Sequence, residues 1–258
     1  MVGVIISPRD AKLNDFATRS FRDIADGDYI VARQAFRQNL AQQALWSSLQ
    51  AIEKYLKAIL LYNRVSSKGL GHNIVEPLGR VRSEVKFDVQ LTTVAEKFIQ
   101  YLDDYGKYRY YENSYYTLGR EMVLLDHTVW WLRRYCRVLD YTIRDLQGNE
   151  KNLLDVELRM IAASEKKPFQ HFRIMGGYLE EIIKKPGHPA RAALVWQNGF
   201  FGSRARKMVR IPTGMIAGNA PLLMHPEILD DVMKYVFVPK EAVDAYRALA
   251  AANKKKGP

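Results

Sequence analysis

Cysteine is nearly absent from this sequence, with Cys136 the single example among 258 residues. One thiol closes no internal disulfide, and its place among helix-patterned residues suits a small buried hydrophobe in a reducing cytoplasm. No window approaches about 18 uninterrupted apolar residues, so neither a membrane span nor a membrane partner is expected. The apolar patch within Met1 to Pro8 is too short for the core of an export signal, and no charged segment precedes it. A glycine-rich phosphate loop is lacking, as is any Ser or Cys nucleophile set, which argues against P-loop and covalent-hydrolase chemistry. Asp103 and Asp104 are adjacent on one helical stretch and point apart, and no His/Cys/Asp/Glu set has metal spacing. No metal and no cofactor are therefore expected. Internal repeats and low-complexity tracts are missing too.

Positive charge is present in excess and unevenly placed. The net charge is +11; residues 1–150 hold 21 Lys/Arg against 18 Asp/Glu, and 151–258 hold 18 against 10. The carboxy-terminal part is thus the better place for an anionic partner, unless its charge only serves solubility.

The clearest element is Ala41 to Tyr62. Leu45, Leu49, Ile52, Leu56 and Ile59 step by four, three, four and three, a continuous apolar stripe on a helix without Pro or Gly. Gln42, Gln50, Glu53, Lys54 and Lys57 fall off the stripe, and Glu53 with Lys57 makes a favourable i,i+4 pair. Ahead of it, 1–19 reads as a lead-in, and Ser20 with Asp23 reads as the cap of a helix running through Phe21, Ile24, Asp28, Val31 and Phe36 to Leu40. Asp28 interrupts the apolar side, which places it at a solvent edge or under a donor from the next helix. Asn63 to Lys86 carries Gly69, Gly71, Pro77 and Gly79 around a short helix at Ile74 to Val81. Helical periodicity returns at Leu91 to Tyr105 and, after a loop, from Arg120 to about Leu146. Four long amphipathic helices with short or moderate connections predict an all-α, up-and-down bundle of four or five helices over 20–148.

Beyond Gly148 and Asn149, residues 149–258 predict a mostly helical, irregular extension or small second domain. Helices are expected at 151–164, Phe169 to Lys185, Pro226 to Tyr235 and Pro239 to Ala251, with a short helix or strand at Ala190 to Trp196. Between them lies a broken loop with the basic set Arg204, Arg206, Lys207 and Arg210 beside Phe200 and Phe201.

The stretch Gln50-Ala51-Ile52-Glu53-Lys54-Tyr55-Leu56-Lys57-Ala58 resembles the second-helix signature of the HEPN domain family, Q-A-x-E-K-x-L-K-A. A preceding helix with Asp28 and Ala32, the loop Gly71-His72-Asn73-Ile74 and the Tyr-rich segment at Arg109-Tyr110 agree with it over roughly 20–145. The resemblance implies a helical bundle that commonly pairs into homodimers. It also implies a nucleotide- or RNA-related role, often beside a partner nucleotidyltransferase in toxin–antitoxin pairs. Many members are ribonucleases with an Arg-x(4–6)-His motif near the fourth helix. Arg109 can take the arginine place, but Ser114, Tyr115 and Tyr116 stand where the histidine would be, and none follows until His127.

Metal-free RNA cleavage needs a group that takes and returns protons near neutrality, as imidazole does. Tyrosine, with an ordinary pKa of about 10, is a poor base there. Residues 101–116 hold seven of the fifteen tyrosines, Tyr101, Tyr105, Tyr108, Tyr110, Tyr111, Tyr115 and Tyr116, with Lys107 and Arg109 among them. Such a mixture can stack bases and hold phosphate, form a dimer or partner interface, or pack the loop. Lys54 and Lys57 could project beside it or stay solvated. The preferred reading is a non-catalytic binding protein for a nucleotide, RNA or protein partner through Arg109, Tyr105, Tyr110, Tyr111 and Tyr115, with Lys54 and Lys57 beside them. The alternative is a divergent metal-independent ribonuclease in which Arg109 works with Tyr115 or His127.

Overall fold

The computed structural model describes residues 3–106, 113–164, 176–202, 208–211 and 214–256. It begins with strand β1 (Gly3–Ile5) and helices α1 (Pro8–Phe16), α2 (Asp23–Arg37) and α3 (Ala41–Tyr62). There follow α4 (Val75–Glu84), α5 (Thr93–Tyr105), β2 (Tyr115–Thr117), α6 (Glu121–Arg133), β3 (Thr142–Arg144) and β4 (Glu150–Asn152). The remaining elements are α7 (Leu154–Ser164), α8 (Tyr178–Lys184), α9 (Arg191–Val195), β5 (Ile216–Gly218), α10 (Pro221–Met224), α11 (Leu229–Val232) and α12 (Lys240–Lys256).

The apolar stripe of α3 is the centre of the core: Leu49, Ile52, Leu56 and Ile59 are fully buried. Each such side chain contributes about 1.5–3 kcal/mol relative to exposure. Helix α2 lies antiparallel against α3, with Asp26 opposite Tyr55 and Asp28 opposite Lys54. The turn between them is tight because Asn39 takes a left-handed φ of 58° and Leu40 N donates to Ala35 O at 2.9 Å, closing the end of α2. Helices α5 and α6 complete the bundle, so the all-α expectation holds. The close approach of α5 to α3 depends on Gly106, where a Cβ would meet Leu102 O at 2.7 Å and Leu45 O at 3.1 Å.

Three expectations about elements need correction. The first helix starts at Pro8, because Ser7 caps it, its Oγ accepting from Asp10 N at 3.0 Å. A π-helical turn at Ala17–Arg22 carries the chain on into α2, leaving Ser20 inside a helix. At the other end, α6 stops at Arg133 rather than near Leu146. The β-branched Thr142 and Ile143 instead enter a three-stranded antiparallel sheet of order β1-β3-β4, with Ile5 opposite Thr142 and Thr142 opposite Asn152.

The carboxy-terminal part shares the bundle's core through Ile161, Leu179, Ile182, Leu194 and Phe201. Two buried charge networks reinforce the join. Asp26 accepts from Tyr55 Oη at 2.6 Å and from Arg133 Nε at 2.7 Å, and Arg133 reaches on to Glu180 at 2.6 Å. Asp126 accepts from Tyr29 Oη at 2.7 Å and from Arg33, whose guanidinium also donates to Ala193 O and Trp196 O. A second, smaller apolar cluster forms around Leu222, Leu229, Val238, Val243 and Tyr246.

Candidate functional site

Thr92 caps α5, its hydroxyl accepting from Ala95 N at 3.1 Å. From that start Lys97, Tyr101 and Tyr105 fall at successive i,i+4 positions on one face. The Tyr101 hydroxyl donates to the Tyr116 carbonyl and fastens β2 to this face. The rings of Tyr101, Tyr105 and Tyr116 then stand 5.2–5.8 Å apart, two of the three contacts edge-on, with Phe98 beside Tyr101.

Next to the rings, between α5 and the start of α6, opens a cleft of about 430 Å³ lined by Lys97, Phe98, Tyr101, Tyr116, Arg120 and Glu121 among others. Lys97 and Arg120 are exposed, and neither forms an ion pair among the described residues. Glu121 is buried, its Oε1 accepting from Leu118 N at 2.7 Å. Burial, with the Glu121 carboxylate adding to it, pushes the Tyr101 phenol well above its ordinary pKa; burial also raises Tyr105. Both remain neutral phenols at physiological pH. Among the described residues the cleft therefore offers aromatic rings, two cations without an ion pair and one carboxylate.

Of the residues singled out in the sequence, Tyr105 belongs to this cluster and Tyr115 is half-buried on β2, packed against the main core. Arg109, Tyr110 and Tyr111 lie outside the described residues, as do Arg204, Arg206 and Lys207. Arg210 is described: its backbone N donates to Gln197 Oε1 at 3.2 Å. β5 pairs antiparallel with β2, Tyr115 opposite Gly218 and Thr117 opposite Ile216, and Ser114 Oγ accepts from Ala220 N at 2.9 Å.

Lys54 and Lys57 have carboxylate partners on the bundle itself. Lys54 Nζ donates to Asp28 at 2.7 Å and Lys57 Nζ to Glu53 at 2.6 Å, and the same Glu53 carboxylate meets His72 Nδ1 at 3.0 Å. Asp28 thus sits under a donor from the neighbouring helix, one of its two expected positions. Asp103 accepts from Ile74 N at 2.8 Å and fixes the loop before α4. Among the described residues no group of three His, Cys, Asp or Glu could hold a metal ion. Cys136 is wholly buried, and burial raises its thiol pKa.

The signature segment of α3 has its alanines, Ala51 and Ala58, fully buried and its polar positions turned to Asp28 and His72. Residues 18–124 match the model of the HEPN domain family. The chain carries a HEPN domain. No family model covers the rest of the chain, and no curated protein and no solved structure matches it. HEPN domains are associated with RNA binding or ribonuclease activity.

Within this HEPN domain and the helix that continues past it, His127 Nε2 lies 2.6 Å from the Thr92 hydroxyl, and its ring packs near Trp131 and edge-on to Phe200. Burial, with Arg134 adding to it, lowers its pKa. Sequence reasoning missed Lys97, Arg120 and Glu121. The first was legible as the residue one turn before Tyr101; the other two follow a loop whose path no periodicity gives.

Proposed function

We propose that this HEPN protein binds single-stranded RNA or a nucleotide on the α5–β2–α6 face and does not turn it over. The observation that supports the reading is the cleft lined together by Tyr101, Tyr116, Lys97 and Arg120, the two cations without anionic partners among the described residues. A base stacked on an aromatic ring gains about 1–3 kcal/mol, and the two cations supply the phosphate term. The continuing stretch through Arg109, Tyr110 and Tyr111 is assigned to the same surface on its composition, with Tyr105 and Tyr115 at its edges.

Chemistry at the cleft favours binding over turnover. The tyrosines beside it are held as phenols, and His127 is already engaged by Thr92 and flanked by aromatic rings. Lys54 and Lys57 shape the bundle by pairing with Asp28 and Glu53 rather than reaching the ligand. We assign the protein to the cytoplasm as a homodimer, and Phe16, Ile24, Val31 and Leu40 are exposed apolar residues of the first helices and the α2–α3 turn that such a pairing could cover. A nucleotidyltransferase-type protein remains the partner that the family suggests.

The test is fluorescence anisotropy with a labelled single-stranded RNA, read in chelator and followed by a gel of the same RNA. Binding that weakens at least about tenfold in Lys97→Ala/Arg120→Ala, with the RNA intact, supports the reading. Cleavage by wild type that Arg109→Ala and His127→Ala both reduce would replace it with the ribonuclease alternative. Lack of affinity at low salt would leave only a protein-partner role.

A further inference from the structure

One group in the cleft is used neither for stacking nor for phosphate. Glu121 lines the cleft yet is only 4% exposed, and its Oε1 is fixed by the Leu118 N–H at 2.7 Å. Its Oε2 accepts no hydrogen bond among the described residues and is not among the sealed, unpartnered polar atoms. Lys97 and Arg120 line the same cleft without forming an ion pair to it. A carboxylate so placed is an acceptor held ready at the wall of a pocket, and a ligand that leaves it unpaired incurs the cost of its burial.

Resting on the nucleotide reading above, we propose that Glu121 selects the base and that the base is guanine. The cleft, at about 430 Å³, suits one nucleotide rather than a run of them. With the ring of Tyr101 or Tyr116 against the base and Lys97 or Arg120 on its phosphate, an edge of the base is left for Glu121. Guanine alone offers two neighbouring donors, N1–H and N2–H, on one edge, and a carboxylate takes both. Its Oε1 keeps a second lone pair after meeting Leu118. Adenine and cytosine place an acceptor nitrogen beside their amino group, which faces the carboxylate with like charge. Uracil has one N–H between two carbonyls.

The experiment is calorimetric titration of the full-length protein with the 5′-monophosphates of guanosine, adenosine, cytidine, uridine and inosine. All five share the phosphate, and inosine lacks only the N2 amino group of guanosine. The expected result is guanosine monophosphate at least about tenfold tighter than the uridine compound, with inosine in between. Glu121→Gln keeps an oxygen for Leu118 N–H, and it should bring the two within about threefold. Lys97→Ala should instead weaken all five alike. Equal affinities in the wild type, or a ratio that survives Glu121→Gln, would overturn the base assignment while leaving RNA binding in place. Affinity for single-stranded RNA without affinity for any monophosphate would also overturn it. Absence of both would end the nucleotide reading itself.

Discussion

Replacing Arg33 by Met should loosen the join between the HEPN bundle and the segment that follows it. Arg33 is 1% exposed, and its guanidinium meets Asp126 Oδ1, Ala193 O at 3.0 Å and Trp196 O. Without it Asp126 retains, among the described residues, the Tyr29 hydroxyl at 2.7 Å alone, and its buried Oδ2 has no partner among them. Breaking a buried ion pair from one side costs about 3–5 kcal/mol. Against a total stability of about 5–15 kcal/mol this is a large fraction, and at roughly 2–4 °C per kcal/mol Tm falls by about 6–20 °C. The exposed pair Arg64 to Asp10, at 2.9 Å, is the control: Arg64→Ala should lower Tm far less than Arg33→Met. Thermal and urea denaturation followed by circular dichroism read both. Arg33→Met/Asp126→Leu, which leaves no lone buried charge, should be more stable than Arg33→Met alone. An Arg33→Met protein within about 1 kcal/mol of wild type would refute the reasoning.

Gly106→Ala puts a methyl group 2.7 Å from a carbonyl oxygen of α5 and 3.1 Å from one of α3, neither able to swing away, so a loss of about 1–3 kcal/mol is expected in the same denaturation assay. Tyr55→Phe leaves Asp26 with one fewer donor at 2.6 Å and should cost about 1.5–3 kcal/mol. Burial and Arg134 hold the pKa of His127 below the ordinary 6.5, so the unfolded chain takes up this proton first as pH falls. The contribution is complete above pH 6.5 and is lost as pH drops through the folded value. His127→Asn should therefore show a shallower fall in Tm between pH 7 and 5 than wild type, and equal slopes would contradict the assignment.

Much of the bundle was legible because periodicity and burial agree. Leu45, Leu49, Ile52, Leu56 and Ile59 named the buried side of α3, and all five are at most 1% exposed. The end of α6 was not legible. Tyr135 and Val138 prolong its rhythm, while the partner that draws Thr142–Arg144 into a strand lies about 140 residues earlier, in Gly3–Ile5. The charge networks were hidden for a related reason. Asp26, Tyr29 and Arg33 share a helix face with Ala25 and Ala32, and a charged pair on an alanine-lined face is a signal of buried partners, but Arg133, Asp126 and Asn198 come from distant stretches. At the site, the tyrosine density pointed to α5 and β2, whereas Arg120 and Glu121 reach the cleft only through the fold.

The salt dependence of RNA affinity reads whether Lys97 and Arg120 meet phosphate. For a single strand each neutralised phosphate adds about 0.7 to the slope of log K against log salt. Lys97→Ala/Arg120→Ala should lower that slope by about 0.7–1.4 while the Lys54→Ala/Lys57→Ala protein keeps the wild-type value. A slope unchanged by loss of Lys97 and Arg120, or one that falls only when Lys54 and Lys57 are removed, would contradict it.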